Sequence, residues 1–280
     1  MVEKRGLTKS REVTTICCFS FVLYYVGQAN VNKGAIPMNE KTVDILGIPF
    51  IHTAREQFVE KLQVRITSEQ KTFVVTANPE TVMKANEEPE FMNVIRQATY
   101  VTEDGIGIVK AAQLLNTPLP ERVSGYDLMI DLLELADRNQ FSIYLLGAQP
   151  ETLDKALANI EKKYPFLKIA GSHHGFFDWN DNKIQEEINR TQPDLIFVAL
   201  GVPRQENWIA QHMSSFQKGI FMGVGGSFDV IAGTVKRAPL IWQRMNLEWL
   251  YRLLKQPSRF GRMLALPRFV IRVMSHRARR

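Results

Sequence analysis

The sequence contains very little cysteine and no long hydrophobic run. Its two cysteines, Cys17 and Cys18, are adjacent, so a disulfide framework is excluded and the rest of the chain offers no thiol for catalysis or metal binding. The apolar run at residues 16–26 is only eleven residues long, whereas a membrane-spanning helix needs roughly 20. The G-x-S-x-G elbow, the Walker loop and the zinc signatures are also missing. These absences exclude several common classes of hydrolase, nucleotide triphosphatase and zinc protein.

The positive charge is concentrated at one end of the chain. The formal charge is +6, but residues 237–280 hold eleven Lys or Arg and one acid, Glu248, so residues 1–236 carry −4. A basic tail on an acidic body indicates a tail that meets phosphate groups, on a lipid or on a nucleic acid. Large apolar side chains are interleaved with the arginines of this tail, which favours a membrane interface.

Residues 1–40 form an N-terminal extension with two interpretations. Basic residues precede the apolar run and a Gly-Gln-Ala sequence follows it, an arrangement that resembles a signal peptide. Alternatively, translation begins at Met38, just before a convincing domain starts, and this mis-called start is the favoured interpretation. We expect a core at residues 41–236 and a basic amphipathic appendage at residues 237–280.

Apolar runs alternate with helix-like periodicity from residue 43 onward. This alternation predicts an α/β fold, with a mostly parallel, Rossmann-like sheet and helices on both of its faces. The appendage is predicted to be helical, divided by Pro257 and Pro267 into three short pieces. The predicted strands are a single strand in VDILGIPF from residue 43, then TFVVTAN (72–78), TYVTED (99–104), FSIYLLG (141–147), LKIAGSHHG (167–175), DLIFVALG (194–201) and GIFMGVGG (219–226).

Six of these strands end in a polar residue or in glycine, and open α/β sheets bind ligands beyond such ends. Asp104, followed by Gly105 and Gly107, has three interpretations: a helix cap, part of a dinucleotide fingerprint, or an active-site base. The fingerprint is the weakest of these, because lysine occupies the position of its third glycine. The glycine-rich stretch at residues 223–233 is either a tight turn or an anion cradle. Arg122 and Gln205 are either solvated residues or ligands of that cleft.

Seven motifs together resemble the WecG/TagA/CpsF glycosyltransferase family. They are TANPETV, TEDGIGIV, PERVSGYDLM, YLLGA, GSHHGFF, VALGVPRQENW and GVGGSFDVIAGTVKRAP, in order between about residue 43 and about residue 270. The closing LEWLYRLLKQPSRFGRMLALPRF is similar to the TagA branch in particular. One departure is Phe176, where family members often have tyrosine, so a hydroxyl contact at this position is not expected.

The resemblance implies a specific reaction. Enzymes of the TagA branch transfer N-acetylmannosamine from UDP to N-acetylglucosaminyl-diphospho-undecaprenol, in wall teichoic acid linkage-unit synthesis of Gram-positive bacteria. The expected partners are therefore a UDP-sugar donor and a polyprenyl-diphosphate acceptor, at the inner face of the cell membrane. No cofactor, metal or nucleic acid is expected, and a homo-oligomer is left open. The alternatives are another UDP-sugar, such as ManNAc-uronate or a capsule sugar, and a non-catalytic protein that binds nucleotide or nucleic acid.

The resemblance also assigns roles to residues. Asp104 matches the catalytic base of an inverting transfer to the 4-hydroxyl of the acceptor sugar. The residues that match the substrate and nucleotide pocket are Thr76, Asn78, Arg122, Gln205, Gly225, Gly226 and Asp229. Arg252, Arg259 and Arg262 match arginines of the appendage that handle the lipid diphosphate.

Overall fold

The computed structural model describes residues 40–255, 261 and 264–278. Within these residues, eight strands form one sheet, in which the neighbours run β1-β2-β4-β3-β8-β7-β5-β6. The strands are β1 (Thr42–Ile45), β2 (Ile48–Ile51), β3 (Thr72–Ala77), β4 (Tyr100–Glu103), β5 (Ser142–Gly147), β6 (Lys168–His173), β7 (Leu195–Ala199) and β8 (Ile220–Gly223).

Every neighbouring pair is parallel except β1 and β2. The predicted α/β class and the mostly parallel sheet are thus confirmed. The helices are α1 (Arg55–Thr67), α2 (Pro79–Glu87), α3 (Pro89–Arg96), α4 (Ile106–Leu114), α5 (Gly125–Asn139), α6 (Pro150–Lys163), α7 (Lys183–Thr191), α8 (Arg204–His212), α9 (Ser227–Ile231), α10 (Leu240–Arg244), α11 (Glu248–Lys255) and α12 (Ala265–Arg277).

Helices cover both faces of the sheet and divide the core into two clusters. On one face, Phe58 of α1 and Leu132 of α5 are fully buried against the strands. On the other face, Val82 of α2, Ile108 of α4 and Phe269 of α12 are equally buried. The central strands are buried along almost their whole length, which is why their sequences read as continuous apolar runs.

One expectation for local structure is wrong. The predicted single strand from residue 43 is an antiparallel hairpin, because the chain reverses at Leu46 and Gly47, both with positive φ. Asp44 supports this turn by accepting a hydrogen bond from the Gly47 amide at 3.2 Å. A helical piece does begin close to Pro267: α12 starts at Ala265, so the proline lies in its first turn, where its missing N–H removes no helical hydrogen bond. Pro257 lies outside the described residues.

Helix α12 is integrated into the body of the protein. It packs against α2 and α4, and Phe269 and Val273 from its inner side are each only 1% exposed. Burying a side chain of this size stabilises the fold by about 1.5–3 kcal/mol. The C-terminal end of the described chain therefore contributes to the same core as the sheet.

Candidate active site

The sheet order brings the predicted site segments to one edge. Strands β4, β3, β8 and β7 are consecutive neighbours and parallel, so their carboxyl ends lie side by side. These ends lead directly into Asp104, Asn78, the glycine loop (residues 223–226) and the segment at residues 201–205. Pairing between Ala77 and Glu103 places the first two at the same level of the sheet.

Asp104 lies where β4 gives way to α4. Its amide donates a hydrogen bond of 2.9 Å to the carbonyl of Ala77, so the backbone is held by β3 up to this residue. The helix begins at Ile106, and its N-cap residue is Gly105, which has no side chain. Asp104 precedes this N-cap residue by one position. The side chain is partly exposed at the sheet edge.

The glycines after Asp104 allow α2 to approach α4. Gly105 has a φ of +124°, a conformation that favours glycine. A Cβ placed on Gly107 would be 2.7 Å from the Cγ of Pro79, the first residue of α2, which is too close to be accommodated without movement. Gly107 therefore packs directly against the start of α2. Its bare face is filled by Pro79, which fixes the start of α2 beside Asp104.

The side chains of Thr76 and Asn78 both make hydrogen bonds within the protein. Thr76 Oγ1 donates to the carbonyl of Gly223 at 3.1 Å and thereby ties β3 to the end of β8. Asn78 Oδ1 caps α2 by accepting hydrogen bonds from the Thr81 amide at 2.9 Å and from Thr81 Oγ1 at 3.1 Å. These bonds fix the loop geometry around Asp104.

Gln205 supports the glycine loop by a hydrogen bond with its backbone. It lies in the first turn of α8 and is only 2% exposed. Its Oε1 accepts a hydrogen bond of 3.0 Å from the amide of Gly225. A Cβ on Gly223 would be 2.5 Å from Gln205 Nε2, so glycine is required for this close approach. The structure therefore places Gln205 beneath the predicted pocket rather than on its open surface.

The glycine loop itself is open on its outer side. Gly225 has a φ of +52°, and nothing lies within 4 Å of where its Cβ would be. The amides of Val224, Gly225 and Ser227 all donate hydrogen bonds to other groups of the protein. Gly226 is exposed, and the carboxylate of Asp229 lies near it, 3.4 Å from the position of a Gly226 Cβ. The loop thus has the bare surface that a close ligand needs.

Glu206 was not recognised from the sequence as a candidate site residue, yet it is buried directly behind Gln205. It is 1% exposed, and its Oε1 accepts a hydrogen bond of 2.8 Å from Gln205 Nε2. Its Oε2 has no hydrogen-bond partner among the described residues. Burial raises the pKa of Glu206 to about 7, and the hydrogen bond from Gln205 only partly offsets this.

Arg122 is engaged by the appendage. Its Nη2 donates to Glu248 Oε2 of α11 at 3.0 Å, and the Glu248 side chain is 8% exposed. Arg237 forms a two-pronged pair with Asp127 of α5, at 2.7 and 2.9 Å, and its Nε lies 3.8 Å from Glu248. Residues separated by more than 100 positions thus form one ion-pair network at this edge. No local pattern in the sequence could have indicated it.

Glu103 is the second buried carboxyl that sequence analysis did not single out. It ends β4, is 0% exposed, and has no hydrogen-bond partner for either carboxyl oxygen among the described residues. Burial raises its pKa to about 8, with a smaller contribution from the charge of Glu121. At neutral pH this side chain is therefore mostly protonated.

The appendage arginines are described only in part. Arg252 belongs to α11, but its side chain, like the whole of Arg259 and Arg262, lies outside the described residues. A groove of about 790 Å³ lies away from the strand ends, between α12 and the C-terminal part of α2. No described helix is both long enough and apolar enough to cross a bilayer. In the described ranges, no three His, Cys, Asp or Glu side chains are grouped to hold a metal ion.

The sequence of this chain is similar to those of known proteins. The sequence model of the glycosyl transferase WecG/TagA/CpsF family matches residues 43–280. Two similar proteins come from Staphylococcus aureus strains MW2 and COL, and both are named N-acetylglucosaminyldiphosphoundecaprenol N-acetyl-beta-D-mannosaminyltransferase. Each is 39% identical to this chain over 237 residues, which cover 84% of this chain and 93% of the relative.

Proposed function

The chain belongs to the WecG/TagA/CpsF glycosyltransferase family, and from this premise we propose that it transfers N-acetylmannosamine from UDP to N-acetylglucosaminyl-diphospho-undecaprenol. The product would be the disaccharide lipid of wall teichoic acid linkage-unit synthesis. The names of the 39%-identical relatives support the choice of acceptor and sugar. The observation that carries the proposal is that Asp104 and the glycine loop follow the ends of nearby parallel strands, with Arg122 next to Val123, whose amide donates to the carbonyl of Glu103.

Asp104 is the proposed general base. A carboxylate that is partly exposed at the strand ends can accept the proton of the acceptor 4-hydroxyl as this oxygen attacks the anomeric carbon of the donor. The carbon–oxygen bond to UDP breaks on the opposite face, so the reaction inverts the anomeric configuration. UDP takes the bonding electrons, and the proton resides on Asp104. The hydrogen bond from the Asp104 amide to Ala77 and the packing of Pro79 against Gly107 fix the backbone on both sides of this residue.

The donor diphosphate is proposed to lie against the glycine loop. The open side of Gly225 and the exposed position of Gly226 permit close approach, and Asp229 lies beside them. Arg122 is the proposed cation for the charge that develops on the leaving diphosphate. Because its guanidinium is paired with Glu248 here, binding requires that the diphosphate share or replace that carboxylate.

Attachment to the inner face of the cell membrane is proposed for the appendage. Several large apolar side chains in or directly after α10 and in α11 are exposed, each by more than 60%: Leu240, Ile241, Met245 and Leu254. Arg244 and Lys255 are exposed in the same helices. Apolar side chains can enter the interface, and each nearby basic residue contributes about 1 kcal/mol on an anionic leaflet.

The direct test is mass detection of the disaccharide lipid formed from UDP-ManNAc and a short-chain polyprenyl-diphosphate acceptor. UDP-ManNAc-uronate and UDP-GlcNAc supplied in competition would distinguish the alternative donors. A product that contains N-acetylmannosamine and neither of the competing sugars supports the proposal. Transfer of one of the other sugars in preference would refute the choice of donor, and no transfer of any UDP-sugar would refute the reaction.

A further inference from the structure

We propose that Glu206 is a positioning residue, which holds Gln205 and through it the amide of Gly225, so that the glycine loop is fixed in the shape that receives a nucleoside diphosphate. The inference rests on the proposed function only for the identity of the ligand. The chain of contacts that carries it lies within the protein and can be followed atom by atom.

The first step is the fixed orientation of the Gln205 amide. A glutamine amide can be rotated by 180°, which exchanges its donor and acceptor ends. Here one end faces the backbone N–H of Gly225, which only donates, and the other end donates from Nε2 to Oε1 of Glu206. The two partners therefore allow a single orientation, with Nε2 toward Glu206 and Oε1 toward Gly225. Without Glu206, only the Gly225 N–H would select this orientation of the Gln205 side-chain amide.

The second step is the conformation of the loop. Gly225 has a left-handed φ of +52°, and its amide points inward to Gln205 while its Cα face is open. The neighbouring carbonyl of Gly223 accepts a hydrogen bond from Thr76. The loop is thus held from β3 by Thr76 and from α8 by Gln205. A loop that is fixed before the ligand arrives loses less conformational freedom on binding.

The third step is burial. Gln205 and Glu206 are 2% and 1% exposed, so water cannot readily replace a missing partner of either side chain. Removing the acceptor at position 206 would leave Gln205 Nε2 buried and unpaired, which is strongly unfavourable. The amide would then be drawn to other partners, and the Gly225 contact would weaken. Glu206 therefore acts on the ligand through Gln205 and need not touch it.

The experiment measures the Kd of the full-length protein for UDP by titration calorimetry. Glu206→Met removes the acceptor, and we expect the Kd to rise about tenfold, consistent with one lost buried hydrogen bond. Glu206→Gln keeps an acceptor oxygen and a similar size, so its Kd should stay within about threefold of the wild type. Gln205→Met should resemble Glu206→Met. The double variant should be no worse than either single variant, because both act through one contact.

A second readout follows the Gly225 amide itself. In protein labelled with 15N-glycine, hydrogen exchange at this amide should be slow in the wild type and in Glu206→Gln, and faster in the two Met variants. Ile209→Val, on the same helix and fully buried, controls for a general loss of stability and should change neither readout. If Glu206→Met does not fold, Glu206→Asp is used instead. The shorter aspartate side chain keeps the charge but places its carboxyl oxygens farther from Gln205 Nε2.

The outcomes separate the two proposals. Wild-type affinity in Glu206→Met, multiplied effects in the double variant, or equal damage by Glu206→Gln would each overturn the positioning role. If the wild type itself does not bind UDP, the proposed donor is wrong, and exchange at the Gly225 amide alone then decides the inference.

Discussion

Replacing Glu103 by glutamine should make the stability of this protein less dependent on pH. Glu103 is fully buried without a partner among the described residues, and burial raises its pKa from 4.5 to about 8. At pH values between 4.5 and about 8, Glu103 of the folded chain keeps a proton that the unfolded chain has released. The folded state therefore binds more protons, and the free energy of unfolding must fall as the pH rises.

The size of this effect follows from the two pKa values. Each unit of difference corresponds to about 1.4 kcal/mol, so the loss between pH 4.5 and pH 8 reaches at most about 5 kcal/mol. The favourable contribution is fully present below pH 4.5 and is lost as the pH rises through about 8. A glutamine at this position has the same shape and no charge. Glu103→Gln should therefore gain roughly 2–4 kcal/mol over the wild type between pH 5.5 and pH 8.

The assay is urea unfolding at pH 5.5, 6.5, 7.5 and 8, followed by fluorescence of the four tryptophans. Glu206, whose pKa is about 7, contributes a slope of its own in both proteins, so only their difference reports Glu103. Glu90→Gln, at an exposed position of α3, is the matched control and should follow the wild type. Parallel curves for Glu103→Gln and the wild type across this range would refute the reasoning.

Three further predictions follow from the site. Asp104→Asn should lower kcat by at least about 10² with little change in UDP affinity, measured by lipid transfer and calorimetry; unchanged turnover would remove Asp104 from the mechanism. Gly107→Ala should lower the melting temperature by about 2–6 °C, because its Cβ would meet Pro79 at 2.7 Å; an unchanged value would show that α2 moves freely. Glu248→Gln should destabilise the protein by about 1–3 kcal/mol in urea unfolding, since it weakens a largely buried pair with Arg122. The control is Glu88→Gln, which breaks the exposed pair with Lys84 and should change the free energy of unfolding by less than about 1 kcal/mol.

The fold class could be predicted because the information is local. A strand that is buried on both faces has a continuous apolar sequence, and the helices between strands have their own periodicity. The turn at Leu46 and Gly47 was missed because Gly47 stands directly between the apolar residues Leu46 and Ile48, so the segment was taken as one strand.

The candidate site could be predicted only as a set of positions. Asp104 and the glycine loop stand at strand ends in the sequence, so their shared edge followed from a parallel sheet. Whether Gln205 faces the ligand or supports the loop from beneath depends on how α8 packs against β8. The sequence gives no sign of that packing, since a polar residue in the first turn of a helix is usually exposed.

The sequence by itself determined the succession of strands and helices, the polar strand ends and the family to which the chain belongs. These depend on residues close together in the chain, and on motifs long enough to be specific. Only the tertiary structure decided that β3 lies between β4 and β8, that Glu248 pairs with Arg122 across 126 positions, and that Glu103 and Glu206 are enclosed. Burial and pairing of charges depend on elements that are distant in sequence, and these meet only when the sheet is assembled.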